Sequence, residues 1–436
     1  MSAIRATLLY LFLISFALTN CKEKPKEIGS TTPKAILIPG EKFYFNSFVD
    51  CNMAEAWIGD TFRIFPGKYG EDPLWGYANE LEFADGKNAD EAFQRKMEEF
   101  SDPRMPLNAA PGKPGLHGAV WFETVYQDPR DLSGKTLFAV YHNENYPSTL
   151  PYDTVTGIGY IEYNWPQGLK GPQSLAAVCR IGIMKSVDGG HSWDDKGIFI
   201  EDLQPRMILK PYNTSNTFPG GVGDPSAVAS GEYLYLFYGE YGYPAVYDSL
   251  SFDPEKERGG QCISVARIKL TELENPVGMA KRWSGTSFSV PSDSIGIPVR
   301  SLQISKEEGG GPASSPTGGF HWGPSVSWNT YLKQWVMLMG HVTGPSWKGS
   351  RIYISFNSNE DLGKGDNSQQ WSKPQLLLDK PGHILWYPSL QPMNTEEDIK
   401  NKNTCLRLGQ EARLFFKDMF KDSSVYVSEY KIRFEK

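Results

Sequence analysis

The chain has 436 residues, 13% of them aromatic, and a formal net charge of −7 at pH 7. A negative chain without a visible basic stripe argues against nucleic acid as a partner. The 43 glycines, 31 prolines and 12 tryptophans favour many short strands and turns over long helices.

The N-terminus has the features of a bacterial export signal. Arg5 precedes an apolar run over residues 6–18 that is too short to span a bilayer comfortably. Leu18-Thr19-Asn20-Cys21 resembles a lipobox, although Asn20 replaces the usual small residue. We therefore expect an acylated (palmitate-bearing) Cys21 that anchors the protein to a membrane of the cell envelope, outside the cytoplasm. An uncleaved anchor or a soluble secreted form is the alternative.

The predicted boundaries follow from this signal and from composition. Residues 1–20 are the lipoprotein signal peptide and residues 21–34, charged and poor in apolar side chains, are a flexible tether. Residues 35–436 show no second linker and are expected to fold as a single domain.

An internal repeat predicts the fold of this domain. Each repeat has a short apolar strand, a polar turn and an aromatic-rich strand, and the repeats start near residues 48, 117, 223, 321 and 386. Five such units predict an all-β, five-bladed β-propeller of four-stranded antiparallel blades with loop insertions. Residues 88–100 are the one short helix expected. An array of immunoglobulin-like sandwiches is the alternative, because it also contains short strands and turns.

One motif supports the propeller. Ser186, Asp188, Gly190 and Trp193 fit the Asp-box pattern S-x-D-x-G-x-[TS]-W, which occurs at the turn between the two outer strands of a propeller blade. Asp188 is expected to accept backbone hydrogen bonds within the turn, and Trp193 to bury its ring beneath it. An ordinary Asp-Gly hairpin is the alternative. Either way the motif is architectural and does not indicate an activity.

Strand direction predicts which side chains meet at one face. In an antiparallel blade, the start of the first strand and the end of the second lie at the same end. Four carboxylates at such positions are the candidate catalytic residues: Asp50, Glu144, Asp224 and Glu240. Histidines and aromatic residues near the same loops are the candidate substrate-binding residues: His117, Trp121, His142, Tyr241, His321, Trp322, His341 and Trp386. The alternative is that Asp224 and Ser325 are strand-entry caps.

At these residues the chain resembles the five-bladed propeller glycosidases, including glycoside hydrolase family 43 and its relatives. The resemblance implies a carbohydrate ligand and a base at Asp50, which stands at the first blade's inner strand. Asp224 matches a blade-entry aspartate, and Glu240 or Glu144 would be the acid. His117 stands where the family has an aspartate that tunes the pKa, so the mechanism does not transfer literally. Related enzymes commonly hold one ion in the central channel, which makes calcium a candidate cofactor; no metal ligands are assigned.

Three other functions remain open, one of them a scaffold in an envelope complex. Phe62-Arg63-Ile64-Phe65-Pro66 resembles the F-R-I-P signature of sialidases, in which Arg63, Arg351 and Arg413 would form a carboxylate-binding triad. A surface propeller that binds a glycan or a protein without catalysis would also use an aromatic, polar face. The sugar, the linkage, the stereochemical course, the membrane and the oligomeric state stay open.

Four cysteines follow Cys21 in the sequence: Cys51, Cys179, Cys262 and Cys405. Export would permit two disulfides, whereas buried free thiols are equally compatible with the wide spacing.

Overall fold

The computed structural model describes residues 32–45, 49–66, 68–72, 77–79, 81–95, 98–100, 119–145, 178–202, 207–208, 220–241, 247–248, 262–305, 307–310, 318–343, 347–365 and 368–436. From Pro33 onward they form one compact unit built almost entirely of β-strands. The signal peptide, Cys21, nearly all of the tether and His117 lie outside the described residues.

The strands form five antiparallel blades, which confirms the predicted all-β propeller. The first strand, β1 (Lys34–Phe45), belongs to the last blade. Blade 1 contains β2 (Ala54–Ile58), β3 (Thr61–Phe65), β6 (Leu81–Gly86) and β7 (Glu98–Phe100). The chain between β3 and β6 contributes β4 (Lys68–Asp72) and β5 (Tyr77–Asn79), which pair with each other, and β4 also pairs with β8 of blade 2. Blade 2 contains β8 (Ala119–Gln127), β9 (Leu137–Asn145), β10 (Val178–Ser186) and β11 (Asp194–Ile200).

The remaining blades have the same plan. Blade 3 contains β13 (Gly220–Ser230), β14 (Tyr233–Glu240), β16 (Cys262–Lys269), β17 (Lys281–Trp283) and β18 (Phe288–Pro291). The short strands β12 (Met207–Ile208) and β15 (Tyr247–Asp248) pair with each other. Blade 4 contains β19 (Gly319–Asn329), β20 (Gln334–Thr343), β21 (Lys348–Asn357) and β22 (Gln375–Asp379). Blade 5 contains β23 (Ile384–Gln391), β25 (Glu411–Phe420), β26 (Ser423–Glu435) and β1, while β24 (Arg407–Leu408) pairs with β19.

The two ends of the domain close the ring together. β1 is the outer strand of blade 5, and its Lys34 pairs with Glu435 of β26. A strand from the beginning of the domain therefore completes the blade formed by its end. We call the end of the propeller at which the inner strands β2, β8, β13, β19 and β23 begin the entry face, and the other end the exit face.

Helices are few and short. The helix α1 (Ala89–Gln94) begins at Asn88, whose side chain accepts from the backbone N–H of Glu91, and the helix α2 (Glu396–Lys400) has a capping box at Thr395. Two 3-10 turns lie at Leu270–Glu272 and Arg300–Leu302. The helix predicted over residues 88–100 was too long, because Glu98–Phe100 is a strand of blade 1. The helix α2 was not predicted, since five residues are too few to show a helical period.

Hydrophobic side chains fill the spaces between neighbouring blades. Phe65 of blade 1 packs with Phe122 and Trp193 of blade 2. Phe237 of blade 3 packs with Met337 and Trp371 of blade 4. Aromatic residues are frequent in this sequence because the wedge between two twisted sheets needs large side chains to exclude voids.

The turn between β10 and β11 has the contacts expected from its sequence. The Asp188 carboxylate accepts from the Ser192 backbone N–H and hydroxyl at 2.9 and 2.6 Å. The Trp193 indole N–H donates to Gly190 O at 3.0 Å, and Gly190 has φ +93°, a conformation that a residue with a Cβ rarely adopts. Arg63 of blade 1 donates to Gly189 O at 2.8 Å, so the turn also joins two blades.

The four cysteines in the described residues are free and buried. Burial raises the pKa of each of these thiols, which keeps them protonated and unreactive. Among the described residues, no helix has the length and apolar character needed to cross a membrane.

Candidate active site at the entry face

The inner strands of blades 2 to 5 share a break near their beginning. The pairing with the second strand of the blade shifts register at Phe122/Thr124, Gly223/Ser226, Trp322/Ser325 and Trp386/Ser389. A β-bulge of this kind bends a strand and re-aims the side chain within it. The breaks contain Glu123 in blade 2, Asp224 in blade 3 and Tyr387 in blade 5.

The bulge imposes an unusual backbone conformation, with a positive φ, on two of these residues. Asp224 has φ 49° and Tyr387 has φ 48°, in the left-handed region that non-glycine residues enter at an energetic cost. The hydroxyl side chains that follow the bulges join neighbouring inner strands. Thr124 Oγ1 accepts from Ala227 N at 3.1 Å, and Ser226 Oγ accepts from Val326 N at 2.9 Å.

Asp224 is the centre of a buried hydrogen-bond network. Its carboxylate accepts from Tyr241 OH at 2.6 Å, from Trp322 Nε1 at 2.9 Å and from Tyr387 OH at 3.2 Å. The residue is only 4% exposed. Burial raises the pKa of Asp224, while the positive charge of His142 and the hydrogen bond from Tyr241 oppose that rise. One carboxylate thus binds together side chains of blades 3, 4 and 5.

Glu123 and His142 form a buried pair beside Asp224. The His142 Nδ1–H donates to Glu123 Oε1 at 2.6 Å, and the Asn52 backbone N–H donates to Glu123 Oε2 at 2.8 Å. Burial raises the pKa of Glu123 to about 7. Burial alone would lower the pKa of His142, but its hydrogen bond to Glu123 and its interaction with the nearby Glu144 carboxylate outweigh burial and hold that pKa well above its ordinary value.

The ligand atoms of Glu123, His142 and Asp224 lie within 4.8 Å of one another, which is close enough for one metal ion. The donor set does not fit calcium, which takes six to eight oxygen ligands. The carboxylates already accept hydrogen bonds from Asn52 and from the network around Asp224. A histidine whose pKa is raised also holds the proton that a metal would have to displace.

Asp50 and Glu144 lie with Glu123, His142 and Asp224 in what we call the Asp224 cluster, and they are its more accessible carboxylates. Their side chains are 30% and 16% exposed. Asp50 Oδ1 accepts from Lys417 Nζ of blade 5 at 2.5 Å, and Glu144 Oε1 lies 3.8 Å from His142 Nε2. Burial raises the pKa of Asp50, partly opposed by Lys417, and the nearby charges of Glu144 and Asp224 raise it further.

Aromatic side chains line the blade 3 to 5 side of the cluster. Trp322 contacts Trp386 at 5.6 Å between ring centroids. The half-buried Trp386 donates from Nε1 to Trp347 O at 2.7 Å, and Lys417 Nζ lies 5.2 Å from its ring centroid. On the other side of the cluster, the ring centroid of Trp121 lies 6.4 Å from that of His142. A sugar ring beside the half-buried Trp386 would meet an apolar face and charged groups together.

Glu240 was predicted to be a catalytic residue of the entry face, but the structure places it in a buried ion pair. It is fully buried and paired with Arg282, which also binds Asp202 at 2.6 Å. The alternation of side chains along β14 accounts for this, because Glu240 lies on the same side of the strand as Tyr238, in the space between blades 2 and 3. An arginine-paired carboxylate without solvent contact is poorly placed to protonate a substrate.

His321 and His341 lie apart from the Asp224 cluster. In β19 the side chains of Phe320 and Trp322 pack into the aromatic cluster, so the intervening His321 points to the other side of the strand. There His321 Nδ1 donates to Leu302 O at 2.6 Å, and the two histidines line a cavity of about 360 Å³ with Arg351. Burial lowers the pKa of His321 to about 4.

The three arginines of the sialidase alternative do not converge. Each has a carboxylate partner in its own surroundings: Arg63 with Asp85, Arg351 with Asp379 and Arg413 with Asp90. Arg63 also belongs to the contact between blades 1 and 2 described above. The structure therefore gives these residues structural ion pairs in place of a shared anion site.

The sequence reasoning missed Glu123, Lys417 and Tyr387. A usable signal was present, because Asp224-Pro225-Ser226, Gly323-Pro324-Ser325 and Tyr387-Pro388-Ser389 repeat one pattern. Glu123-Thr124 is the blade 2 counterpart without the proline, and aligning Thr124 with the serines would have identified Glu123. Lys417 had no such signal, since its contact with Asp50 joins residues 367 positions apart.

No family model and no curated protein matches this chain. Solved structures of similar fold include an α-L-arabinofuranosidase from Lactobacillus brevis, 9% identical with a TM-score of 0.46, covering 89% of this chain and 92% of that one. They also include an arabinanase from Bacillus subtilis, 9% identical with a TM-score of 0.41, covering 90% and 95%. An α-L-arabinanase from Cellvibrio cellulosa in complex with arabinohexaose is 11% identical with a TM-score of 0.41, covering 89% and 92%.

Proposed function

We propose that this protein is a lipid-anchored, extracytoplasmic glycoside hydrolase that acts through two carboxylates at the entry face. The observation that carries the proposal is the position of Asp50 and Glu144, which are partly exposed above the buried Asp224 and are close enough to affect one another's charge. Glycoside hydrolysis needs two such groups, one to protonate the leaving oxygen and one to activate water or attack the sugar.

Asp50 is assigned the role of base or nucleophile. Lys417 keeps its carboxylate oriented and favours the charged form, while burial raises its pKa and so strengthens it as a base. Glu144 is assigned the role of acid, because it is the other carboxylate of the cluster with an exposed edge. Asp224, Glu123 and His142 lie beneath and set the electrostatic environment of both.

The aromatic walls supply the binding surface. The half-buried Trp386 offers a ring face for stacking against the C–H face of a sugar, while the buried Trp121 packs beside His142 on the blade 2 side. Tyr241 and Trp322 donate their hydrogen bonds to Asp224, so we assign them the role of holding that carboxylate in place and not of binding the sugar. His117 remains a predicted substrate contact.

The sequence supports the proposed location. Cys21 after an apolar run supports a lipid anchor in the bacterial envelope, with the domain outside the cytoplasm. We also infer that the Ser186–Trp193 turn is an Asp box, which its internal hydrogen bonds support.

The experiment incubates the purified full-length protein with neutral oligosaccharides, aryl glycosides and sialosides, and follows sugar release by chromatography. Release from one class supports a glycosidase and names its sugar. Binding without release, measured by calorimetry on the same panel, would favour a non-catalytic glycan-binding protein instead.

A further inference from the structure

The chain enters the domain at the exit face. Lys34 pairs with Glu435, and Arg433 pairs with Glu411, the first residue of β25. This end of blade 5 is the one at which its inner strand finishes, opposite Trp386 and the carboxylate cluster. Cys21 precedes Lys34 by 13 residues, a length that spans at most about 45 Å when fully extended.

The same face carries four exposed apolar side chains, which we call the exit-face patch. Leu132 is 99% exposed in the turn from β8 to β9, and Val187 is 63% exposed in the turn from β10 to β11. Val277 and Met279 are 65% and 46% exposed in the connection from β16 to β17. Each of these connections leaves the end of a strand that runs from the entry face to the exit face.

These turns form one continuous surface of blades 2 and 3. The backbone N–H of Gly189 donates to Lys135 O at 3.0 Å, which joins the first two turns. Lys185 and Lys196 of blade 2 both pair with Glu274, next to Val277. Because these three charges pair with one another, we expect contact of this part of the patch with a partner to depend mainly on the apolar side chains.

Blades 2 and 3 lie across the ring from blade 5, where the chain enters. We propose that the exit face lies against the lipid bilayer in which the proposed lipid anchor sits, with the exit-face patch inserted into the interfacial layer. The occupant of the patch is then the membrane surface, since the segment that leads to Cys21 starts from the same face. Two attachments on opposite sides of one face hold the candidate active site away from the membrane, towards substrates in solution. This inference rests on the lipid anchor of the proposed function.

The test uses the acylated full-length protein in phosphatidylcholine vesicles that contain a spin-labelled quenching lipid. A polarity-sensitive dye is attached to Leu132→Cys, or in a matched protein to Phe420→Cys, which is 41% exposed at the entry face. The native cysteines of the described residues are buried, so the dye reacts with the introduced one. The lipid should quench the dye at position 132 and leave the dye at position 420 unchanged.

A second protein carries Val277→Asp and Met279→Asp together with the Leu132→Cys dye. It should stay on the vesicles and lose most of the quenching, and 0.5 M salt should not have that effect. Vesicle flotation without quenching at position 132, or with equal quenching at both positions, would overturn the membrane-facing orientation alone. Flotation that is absent, or that is unaffected by Cys21→Ser, would overturn the lipid anchor and the orientation with it.

Discussion

Asp50 of blade 1 and Lys417 of blade 5 form an ion pair of 2.5 Å that bridges the closure of the ring at the entry face. Lys417 also lies over the ring of Trp386. The lysine therefore links one proposed catalytic carboxylate to the aromatic wall that would bind the sugar.

Replacing Lys417 with glutamine should move the acidic limb of the pH–rate profile to higher pH. The lysine charge lowers the pKa of Asp50 against the effect of burial, so removing that charge raises the pKa further. The base must be ionised to act, and activity is then lost at a higher pH than in the parent. The measurement is kcat/KM from pH 4 to 8, with Lys196→Gln at the exit face as the control. An unchanged acidic limb would argue against Asp50 as the base.

The Glu123–His142 pair should respond differently to single and double substitution. Glu123→Gln leaves the buried imidazolium with a weaker partner, and breaking a buried pair in this way costs about 3 kcal/mol of unfolding free energy. The double variant Glu123→Gln, His142→Gln should recover much of that loss. Urea unfolding of the parent, both single variants and the double variant measures the coupling. Additive losses would show that the two groups do not interact in the folded protein.

Glu55 should make stability fall as pH rises from about 4.5 to about 7. Burial raises its pKa from 4.5 to about 7 in the folded protein, so the unfolded chain releases this proton at a lower pH than the folded one. Glu55 therefore does not lower the free energy of unfolding below about pH 4.5. Above about pH 7 it lowers that free energy by its full amount, on the order of 3 kcal/mol. Glu55→Gln should flatten the dependence of the unfolding free energy over this interval, and the exposed Glu232→Gln should not.

Glu240 should prove structural. Its partner Arg282 is fully buried, with Tyr238 Oη at 3.0 Å and Asp202 at 2.6 Å, so Glu240→Gln removes one of the counter-charges of a buried cation. We expect a loss of about 3 kcal/mol in unfolding free energy, while kcat of the folded fraction changes little. Chemical unfolding and kinetics on the same preparation measure both. A variant of parental stability that had lost catalysis would restore Glu240 as the acid.

The fold was predictable because its signals are local and repeated. Each blade repeats a strand, a turn and an aromatic-rich strand, and the predicted starts at residues 223 and 321 fall within four residues of Gly220 and Gly319. The site was less predictable, since strand direction places residues at one end of the ring but does not say which way each side chain points. His321 and Trp322 illustrate this, as adjacent residues of β19 that face opposite sides.

The bulges were a further obstacle to prediction. Glu123 is the extra residue at the bulge of β8, so its side chain departs from the regular alternation and points to the cluster. The pairing of Lys417 with Asp50 depends on closure of the ring, a tertiary event without a local signature.

The measurement that tests the central claim most directly is the leaving-group dependence of Asp50→Asn and Glu144→Gln, on the sugar class that the panel identifies. An acid is needed for a poor leaving group, whereas a dinitrophenyl group departs without protonation. We predict that Glu144→Gln loses about 10²- to 10⁴-fold in kcat on the oligosaccharide and little on the dinitrophenyl glycoside. Asp50→Asn should lose activity on both substrates. The exposed controls Glu232→Gln and Asp361→Asn should keep their activity on both. Variants that behave like the controls, or a folded parent that releases no sugar from any substrate, would contradict the account.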